Sequence, residues 1–418
     1  MKAMIIQLGA RMRYAVPRLL HSAGQLAHFH TDLAGDRGWP ALLRAMPERL
    51  RPLALRRLLQ RRIEGIPSSL VSAHSLLGLK VAYRERRARG PDELAEAHIR
   101  SGHELCRLAA RRGFDGATAV GAIGTSSEPL LQAARRAGRA AFTEQIIAPP
   151  SVENQILERE RAAYPGWEIH AEMAGWYRRF EEIGRREWAL ADLIVCGSEF
   201  VREGIRQAGG PFERCVVVPY GVTLSPPPPQ KRERNSGRPL QVLTIGAVGL
   251  RKGAPYVREA AEAMRGRAEF HWLGRVDLSE FGRAQMAPHV SLAGQVSRDE
   301  TMRRLAAADV FLLPSLCEGS ATVCYEALAL GVPVITTPNA GAVVRDGEDG
   351  FVVPIRDVKA IVDRLDLLLR KPERRSALAA SAQNRAAEFT VERYGERLLA
   401  ALAGLDQKQP AGALALTP

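Results

Sequence analysis

The sequence predicts two α/β domains in one chain, each a parallel sheet flanked by helices. Three observations carry that expectation. The chain has 418 residues, more than the ~250–300 that a single hydrophobic core usually serves. Short apolar strands alternate with helical stretches along its whole length, the order that builds βαβ units. A tract reading SPPPPQKRERNSGRP, from Ser225 to Pro239, divides that alternation into two halves. Four successive prolines followed by charged, Gly- and Ser-containing sequence pack neither as strand nor as helix, so this tract is an expected linker.

In the first half, strands are expected at Ala3–Leu8, Gly116–Ala122, Ala140–Ile146, Leu193–Cys196 and Val216–Val218. Helical patterns lie between them at Tyr14–His28, Asp92–Arg111 and Glu128–Ala137, with a longer helical region from Val152 to Leu190. The EGIPSS stretch at 64–69 ends the basic segment and sets it apart from the chain beyond Leu70. In the second half, strands are expected at Leu240–Ile245, Glu269–Leu273, Val290–Leu292, Val310–Leu313, Val332–Thr336 and Phe351–Val353. The helices there are Ala254–Arg265, Arg298–Ala307, Thr322–Leu330 and Asp357–Leu369, and the chain is helical again from Glu373 to about Leu405. QKQPAGALALTP, residues 407–418, reads as a loose tail. In such sheets ligands sit at the carboxyl ends of the strands, and the search for chemistry belongs there.

Composition sets the class. Hydrophobic residues are 46% and charged residues 25%, an ordinary globular balance. No run approaches the ~18 apolar residues of a membrane span. The N-terminal apolar stretch is too short for a signal sequence and is interrupted by Gln7, so it reads as a buried strand. The five cysteines, Cys106, Cys196, Cys215, Cys317 and Cys324, include no C-x-x-C pair; neither a disulfide framework nor a zinc site is suggested, and a reducing cytoplasm fits. The net charge of +13 and pI near 9.9 call for a nucleic acid, an anionic membrane surface or a polyanionic substrate as partner. With aromatics at only 6% and no interleaving of basic and aromatic residues, nucleic acid is not the expected partner. The charge is uneven: from Arg11 to Arg62 there are eleven arginines against Asp32, Asp36 and Glu48. RLRPLALRRLLQRRI, residues 49–63, reads equally as a surface-lying helix on an anionic membrane and as a core-packing helix with an arginine-rich back.

The densest chemical signal is LLPSLCEGSATVCYEALALGVPVITTPNAG, Leu312–Gly341. A buried strand ends at Pro314, a polar loop follows, and a helix starts near Ser320–Thr322. The N–H groups of Gly319, Ser320, Ala321 and Thr322 form a helix N-terminus, where unpaired donors and the macrodipole favour phosphate or sugar oxygens. Glu326, one turn into the helix, is placed to accept two hydrogen bonds from a ribose diol, and Glu318 lies nearer the loop, where a sugar ring would sit. A second signal is IGAVGLRKG, Ile245–Gly253, which follows the first strand of the second half. Arg251 and Lys252, between glycines, suit a diphosphate whose charge grows as a bond to it breaks. The spacing is not the dinucleotide fingerprint G-x-G-x-x-G.

These residues resemble the E-x7-E motif of the retaining GT-B glycosyltransferases called group 1, or family 4. ALALGVPVITTPNAG resembles that family's A-x-G-x-P-V-I continuation, and Lys252-Gly253 matches its G-R-x-x-x-x-K-G loop, with Ala247 replacing the early arginine and Arg251 supplying the charge. HWLGRV and SLAGQVSRDE resemble a strand-and-loop pair that flanks the nucleotide base near Val296; DLIVCGSEFVREGI and VVVPYGVT resemble the end of the family's first domain. Together the matches cover roughly 190–400. The usual E-G-F-G-L reads Glu318-Gly319-Ser320-Ala321-Thr322 here, which leaves the sugar open.

The resemblance implies a GT-B fold of two facing Rossmann-like domains: an acceptor domain at 1–224, a linker at 225–239, a donor domain at 240–385, a helix at 386–405 returning to the first domain, and a tail at 406–418. It implies transfer of a sugar from a nucleoside diphosphate to a saccharide or lipid-linked acceptor, with retention and without metal or other cofactor. Catalysis would fall to Glu318, Arg251 and Lys252. Gly246, Val296, Gly319, Ser320, Ala321, Thr322 and Glu326 would complete the donor site. On the acceptor side the candidates are Gly9, Ala10 and Arg11, in the turn after the first strand, with Thr125, Glu144 and Gln145 at later strand ends. The place expected is the cytoplasm, or the inner face of the cytoplasmic membrane. A basic nucleic-acid-binding protein and a same-fold sugar-nucleotide epimerase are the competing readings.

Overall fold

The structure, a computed structural model, describes residues 1–123, 126–169, 175–224 and 238–405. Thr125, most of the linker and the tail lie outside them.

The first sheet has seven parallel strands: β1 Ala3–Gln7, β2 Leu26–Thr31, β3 Val71–Ala73, β4 Ala119–Ile123, β5 Ala140–Gln145, β6 Leu193–Cys196 and β7 Cys215–Val217. Their order is β3-β2-β1-β4-β5-β6-β7. Helices cover both faces, so β1 is buried at every position and reads as an unbroken apolar run. The second sheet has six parallel strands, β8 Leu240–Ile245, β9 Ala268–Leu273, β10 Val290–Leu292, β11 Val310–Leu313, β12 Val334–Thr336 and β13 Gly350–Val352. Its order is β10-β9-β8-β11-β12-β13. The strand order reverses direction between β1 and β4 in the first sheet and between β8 and β11 in the second, and such switch points open crevices at the carboxyl ends.

The helices of the first half are α1 Ala15–Ser22, α2 Trp39–Leu42, α3 Leu53–Leu59, α4 Ser75–Arg87, α5 Pro91–Arg112, α6 Glu128–Arg136, α7 Pro150–Ala163, α8 Gly175–Leu190 and α9 Glu199–Gln207. Those of the second are α10 Ala254–Ala263, α11 Glu280–Met286, α12 Arg298–Ala307, α13 Thr322–Ala329, α14 Val358–Arg370, α15 Pro372–Ala387 and α16 Val391–Ala403. Several start where a side chain meets the first free N–H groups: Ser198 accepts from Val201, Ser297 from Glu300, Asp357 from Ala360 and Thr390 from Arg393.

Three expectations are corrected. The helix expected at Tyr14–His28 ends at Ser22, Gly24 turns the chain at φ +68°, and β2 begins at Leu26. Strand β2 escaped notice because His28 and His30 stand at the positions paired with Met4 and Ile6, where an aliphatic period of two would have shown. The region Val152–Leu190 is two helices, α7 and α8, since Tyr164-Pro165-Gly166 stops the first. Of the basic segment 49–63 only Leu53–Leu59 is α-helical, with Leu59 and Ile63 buried and Leu50 exposed.

The two cores exchange chain. Helix α16 returns to the first domain, where Leu398 and Leu402 share a core with Val16 and Leu20. In the other direction Leu157 of α7 and Trp167 just after it are buried in the core of the second domain, among Leu250, Tyr256 and Leu278.

Candidate active site

A cleft of about 830 Å³ separates the domains at the carboxyl ends of both sheets. Its second-domain wall follows from topology. The loops after β8 and β11 leave the sheet on either side of the switch point, which brings the Arg251-Lys252 loop and the Glu318 loop together despite their distance in sequence.

Their contacts are direct. Lys252 Nζ lies 2.6 Å, and Arg251 Nη1 3.1 Å, from Glu318 Oε1. Arg251 also donates to the Cys317 carbonyl at 2.9 Å, and its Nε is 3.8 Å from Glu153 on α7. The Lys252 stem runs beneath Gly246, whose φ of +131° and missing side chain let it pass; a Cβ there would sit 2.4 Å from Lys252 Cε. Burial pushes the Glu318 carboxyl up, but Lys252 and Arg251 outweigh it and hold the group below its usual range, hence ionised. Burial likewise disfavours the Arg251 charge, and Glu318 and Glu153 more than restore it.

Glu326, on α13, is gripped end-on by Arg298, with Nη1 at 2.9 Å and Nη2 at 2.6 Å from its two oxygens. Arg298 is 55% exposed and Glu326 13%. Among the described residues no acceptor meets the N–H of Gly319, Ser320 or Thr322, whereas Glu318 and Ala321 donate to the Asn339 and Ala340 carbonyls. Ala321 therefore offers no free donor. Gly246 and Val296 line a separate recess of about 460 Å³ beside the cleft, together with Arg275, Gln295 and Thr301.

The first-domain wall is built by the turn after β1 and the ends of later strands. Arg11 lines the cleft and donates to Glu144 at 3.2 Å and to the Tyr220 hydroxyl, which itself donates to Glu144 at 2.6 Å. Glu144 is thus buried behind Arg11, with Oε1 taking both of these bonds. The Gly9 N–H is taken by Asp32 at 2.9 Å, so it does not face the cleft as a free donor. Gln145 points into the fold: it accepts from Trp188 Nε1 and donates to the Ile147 carbonyl. Met12, Arg13 and Tyr14 follow Ala10 and Arg11 in left-handed backbone, with φ of 47°, 52° and 58°. Three such non-glycine residues cost ~1–2 kcal/mol each, and strain of this kind gathers where a loop must present groups to a ligand. Arg13 is exposed there on the cleft wall.

The domains also fit closely beside the Glu318 loop. Ser198 donates to the Gly319 carbonyl, and a Cβ on Gly319 would lie 1.6 Å from the Ile146 carbonyl. Sequence reasoning missed Arg298, Tyr220, Arg13 and Ser198. The Ser297…Glu300 capping signature marks where α12 starts, but nothing in one sequence says that its first residue faces Glu326.

Residues 239–371 match the family profile described as glycosyl transferases group 1. The chain is 25% identical over 205 residues to a putative colanic acid biosynthesis glycosyltransferase of Salmonella typhimurium, covering 44% of this chain and 48% of the relative. It is 29% identical over 241 residues to a GDP-mannose-dependent alpha-(1-6)-phosphatidylinositol monomannoside mannosyltransferase of Mycobacterium tuberculosis, covering 51% and 62%. The chain thus spans about half the length of the curated relatives it matches. Over 97% of its length it superposes on all of Anabaena Alr3699/HepE, solved in complex with UDP, with a TM-score of 0.58 at 15% identity. That likeness carries the fold.

Proposed function

We propose, from the premise that residues 239–371 belong to the group 1 glycosyltransferases and that the chain has the GT-B fold, that this protein transfers a sugar from a nucleoside diphosphate to an acceptor. The observation that carries the reading is the meeting of Arg251, Lys252 and Glu318 within 2.6–3.1 Å at the wall of the interdomain cleft. In this reading Arg251, Lys252 and the free N–H groups at the start of α13 hold the diphosphate. Glu326 accepts the ribose diol in place of Arg298, the recess at Gly246 and Val296 takes the base, and Glu318 meets the sugar.

The acceptor hydroxyl attacks the anomeric carbon on the face the diphosphate leaves. The carbon–oxygen bond to the diphosphate breaks, the new glycosidic bond forms, and the hydroxyl proton passes to a departing phosphate oxygen. Retention results. The charge developing on the diphosphate is met by fixed cations and backbone dipoles, so no metal is called for. The acceptor enters from the first domain past Arg11 and Arg13. The relatives, one named for colanic acid biosynthesis and one for a phosphatidylinositol mannoside, favour a saccharide or lipid-linked acceptor.

A membrane surface fits the same reading. Among the described residues no helix is long and apolar enough to cross a membrane. Helix α4, however, shows Leu76, Leu79 and Tyr83 to solvent at 75%, 48% and 59% exposure, beside Lys80, Arg86 and Arg87. Apolar side chains ringed by cations suit an anionic bilayer face, here the cytoplasmic one.

Nucleoside diphosphate release from UDP-, GDP-, ADP- and TDP-sugars in EDTA, with the anomeric configuration of the product read by NMR, tests the chemistry. One active donor and a retained configuration are expected; an inverted product overturns the front-face route. Wild type should sediment with phosphatidylglycerol vesicles and Leu76→Glu/Leu79→Glu should not; equal binding by both removes α4 as the contact face, and binding by neither removes the membrane.

A further inference from the structure

The Arg251-Lys252 loop is held by a part of the chain that belongs, in sequence, to the other domain. After β5 the chain leaves the first sheet, runs through α7 and residues 164–168, and only then returns to α8. This strap is seated on the second domain at several points. Glu160, buried to 1% exposure, accepts from Tyr256 Oη at 2.5 Å and from Arg356 Nε at 2.6 Å. Tyr164 Oη donates to Glu259 at 3.2 Å. The Gly166 and Trp167 carbonyls accept from the hydroxyl and N–H of Ser279 at 2.5 and 2.8 Å.

Its far end reaches the site. Glu168 Oε1 accepts the N–H of Leu250 at 2.7 Å. Leu250 opens the one-turn 3-10 helix Leu250–Lys252, so the carboxylate satisfies a donor at the start of the turn from which both cations project. At the near end Glu153 lies 3.8 Å from Arg251 Nε.

We infer that Glu168 is a positioning residue of the diphosphate site: by capping the 250–252 turn it sets Arg251 and Lys252 for the donor, so a strap from the first half of the chain completes a site in the second. The inference rests on the donor reading of that site. A purely structural cap would affect melting alone. A positioning cap affects nucleotide binding, acts through Arg251 and Lys252, and is replaced by any side chain that still accepts from Leu250.

The experiment is calorimetric binding of UDP, GDP, ADP and TDP to the full chain and to Glu168→Ala, Glu168→Gln, Arg251→Ala and Glu168→Ala/Arg251→Ala, with the melting temperature of each. For the nucleotide that wild type binds, Glu168→Ala should weaken affinity about tenfold, the scale of one hydrogen bond to a charged group. Glu168→Gln should stay within about twofold of wild type, because its amide oxygen accepts the same bond. In the Arg251→Ala background the alanine at 168 should cost less than about threefold, the non-additivity of residues acting through each other. Wild-type affinity in Glu168→Ala, with or without a lowered melting temperature, overturns the inference, as does failure of Glu168→Gln to restore binding. If wild type binds none of the four nucleotides, the donor reading falls instead, and the inference with it.

Discussion

Replacing Glu326 by alanine should separate donor binding from stability, and the structure sets both magnitudes. The partner lost is Arg298, 55% exposed, so the pair resembles a surface ion pair worth at most ~1 kcal/mol. At ~2–4 °C per kcal/mol for domains of this size, melting should fall by only a few degrees. Donor binding should suffer more. A ribose diol would give Glu326 two hydrogen bonds to a charged acceptor, ~1.5 kcal/mol each at the low end, and displacing Arg298 returns ~1 kcal/mol of that. The remaining ~2 kcal/mol is about 30-fold in affinity. Calorimetry of the nucleoside diphosphate that wild type binds, beside a melting curve, measures both. Unchanged affinity refutes the ribose assignment, and so does a melting loss above ~10 °C that drags affinity down with it. The competing cation gives an effect of opposite sign: Arg298→Ala should bind the same nucleotide up to about fivefold more tightly, since nothing must then be displaced.

Lys252→Ala should lower kcat by about 10²–10³, the usual cost of removing one group aimed at developing charge, and a loss under tenfold in steady-state assays would remove Lys252 from the chemistry. Gly319→Val places a side chain where the Ile146 carbonyl stands, 1.6 Å from the Cβ position, so the domains cannot seat as they do here; scattering should report a more open particle and turnover should collapse, while wild-type compactness contradicts the fitted contact. Glu187 is buried, and burial pushes its carboxyl up to about 7 from 4.5. A raised folded pKa means its stabilising contribution is complete below the unfolded value and is lost as pH climbs toward 7, by about 3 kcal/mol in all. Glu187→Gln should flatten the decline in melting temperature between pH 4.5 and 7, and an unaltered slope would assign the decline to other groups.

The second half of the chain was legible because its strands are short, aliphatic and separated by turn residues. β8, β10 and β11 fall on the expected residues, and so does α12. In the sequence the E-x7-E spacing and the Arg251-Lys252 loop are linked only by the family resemblance; the switch point between β8 and β11, which a single sequence does not show, is what brings the two loops together. The first half was less readable for local reasons. Histidines occupy the inward positions of β2, β3 is three residues long, and the turn at Met12–Tyr14 is left-handed without a glycine to announce it. The strap shows the limit most clearly. Glu153, Glu160 and Glu168 look like helix and loop carboxylates in a sequence, and their partners Arg251, Tyr256, Arg356 and Leu250 all lie far along the chain, in the other domain. Pairings of that range follow from the seating of one domain's chain on the other's core, which periodicity does not encode.

The most direct test of the proposed function is a thermal shift of the full chain with UDP-, GDP-, ADP- and TDP-sugars in EDTA, with Glu326→Ala alongside. A ligand near 100 times its dissociation constant should add about 2.7 kcal/mol of stability. A shift with one nucleotide family, lost in Glu326→Ala, is the expected result. No shift with any of the four contradicts a nucleotide-sugar site in this cleft.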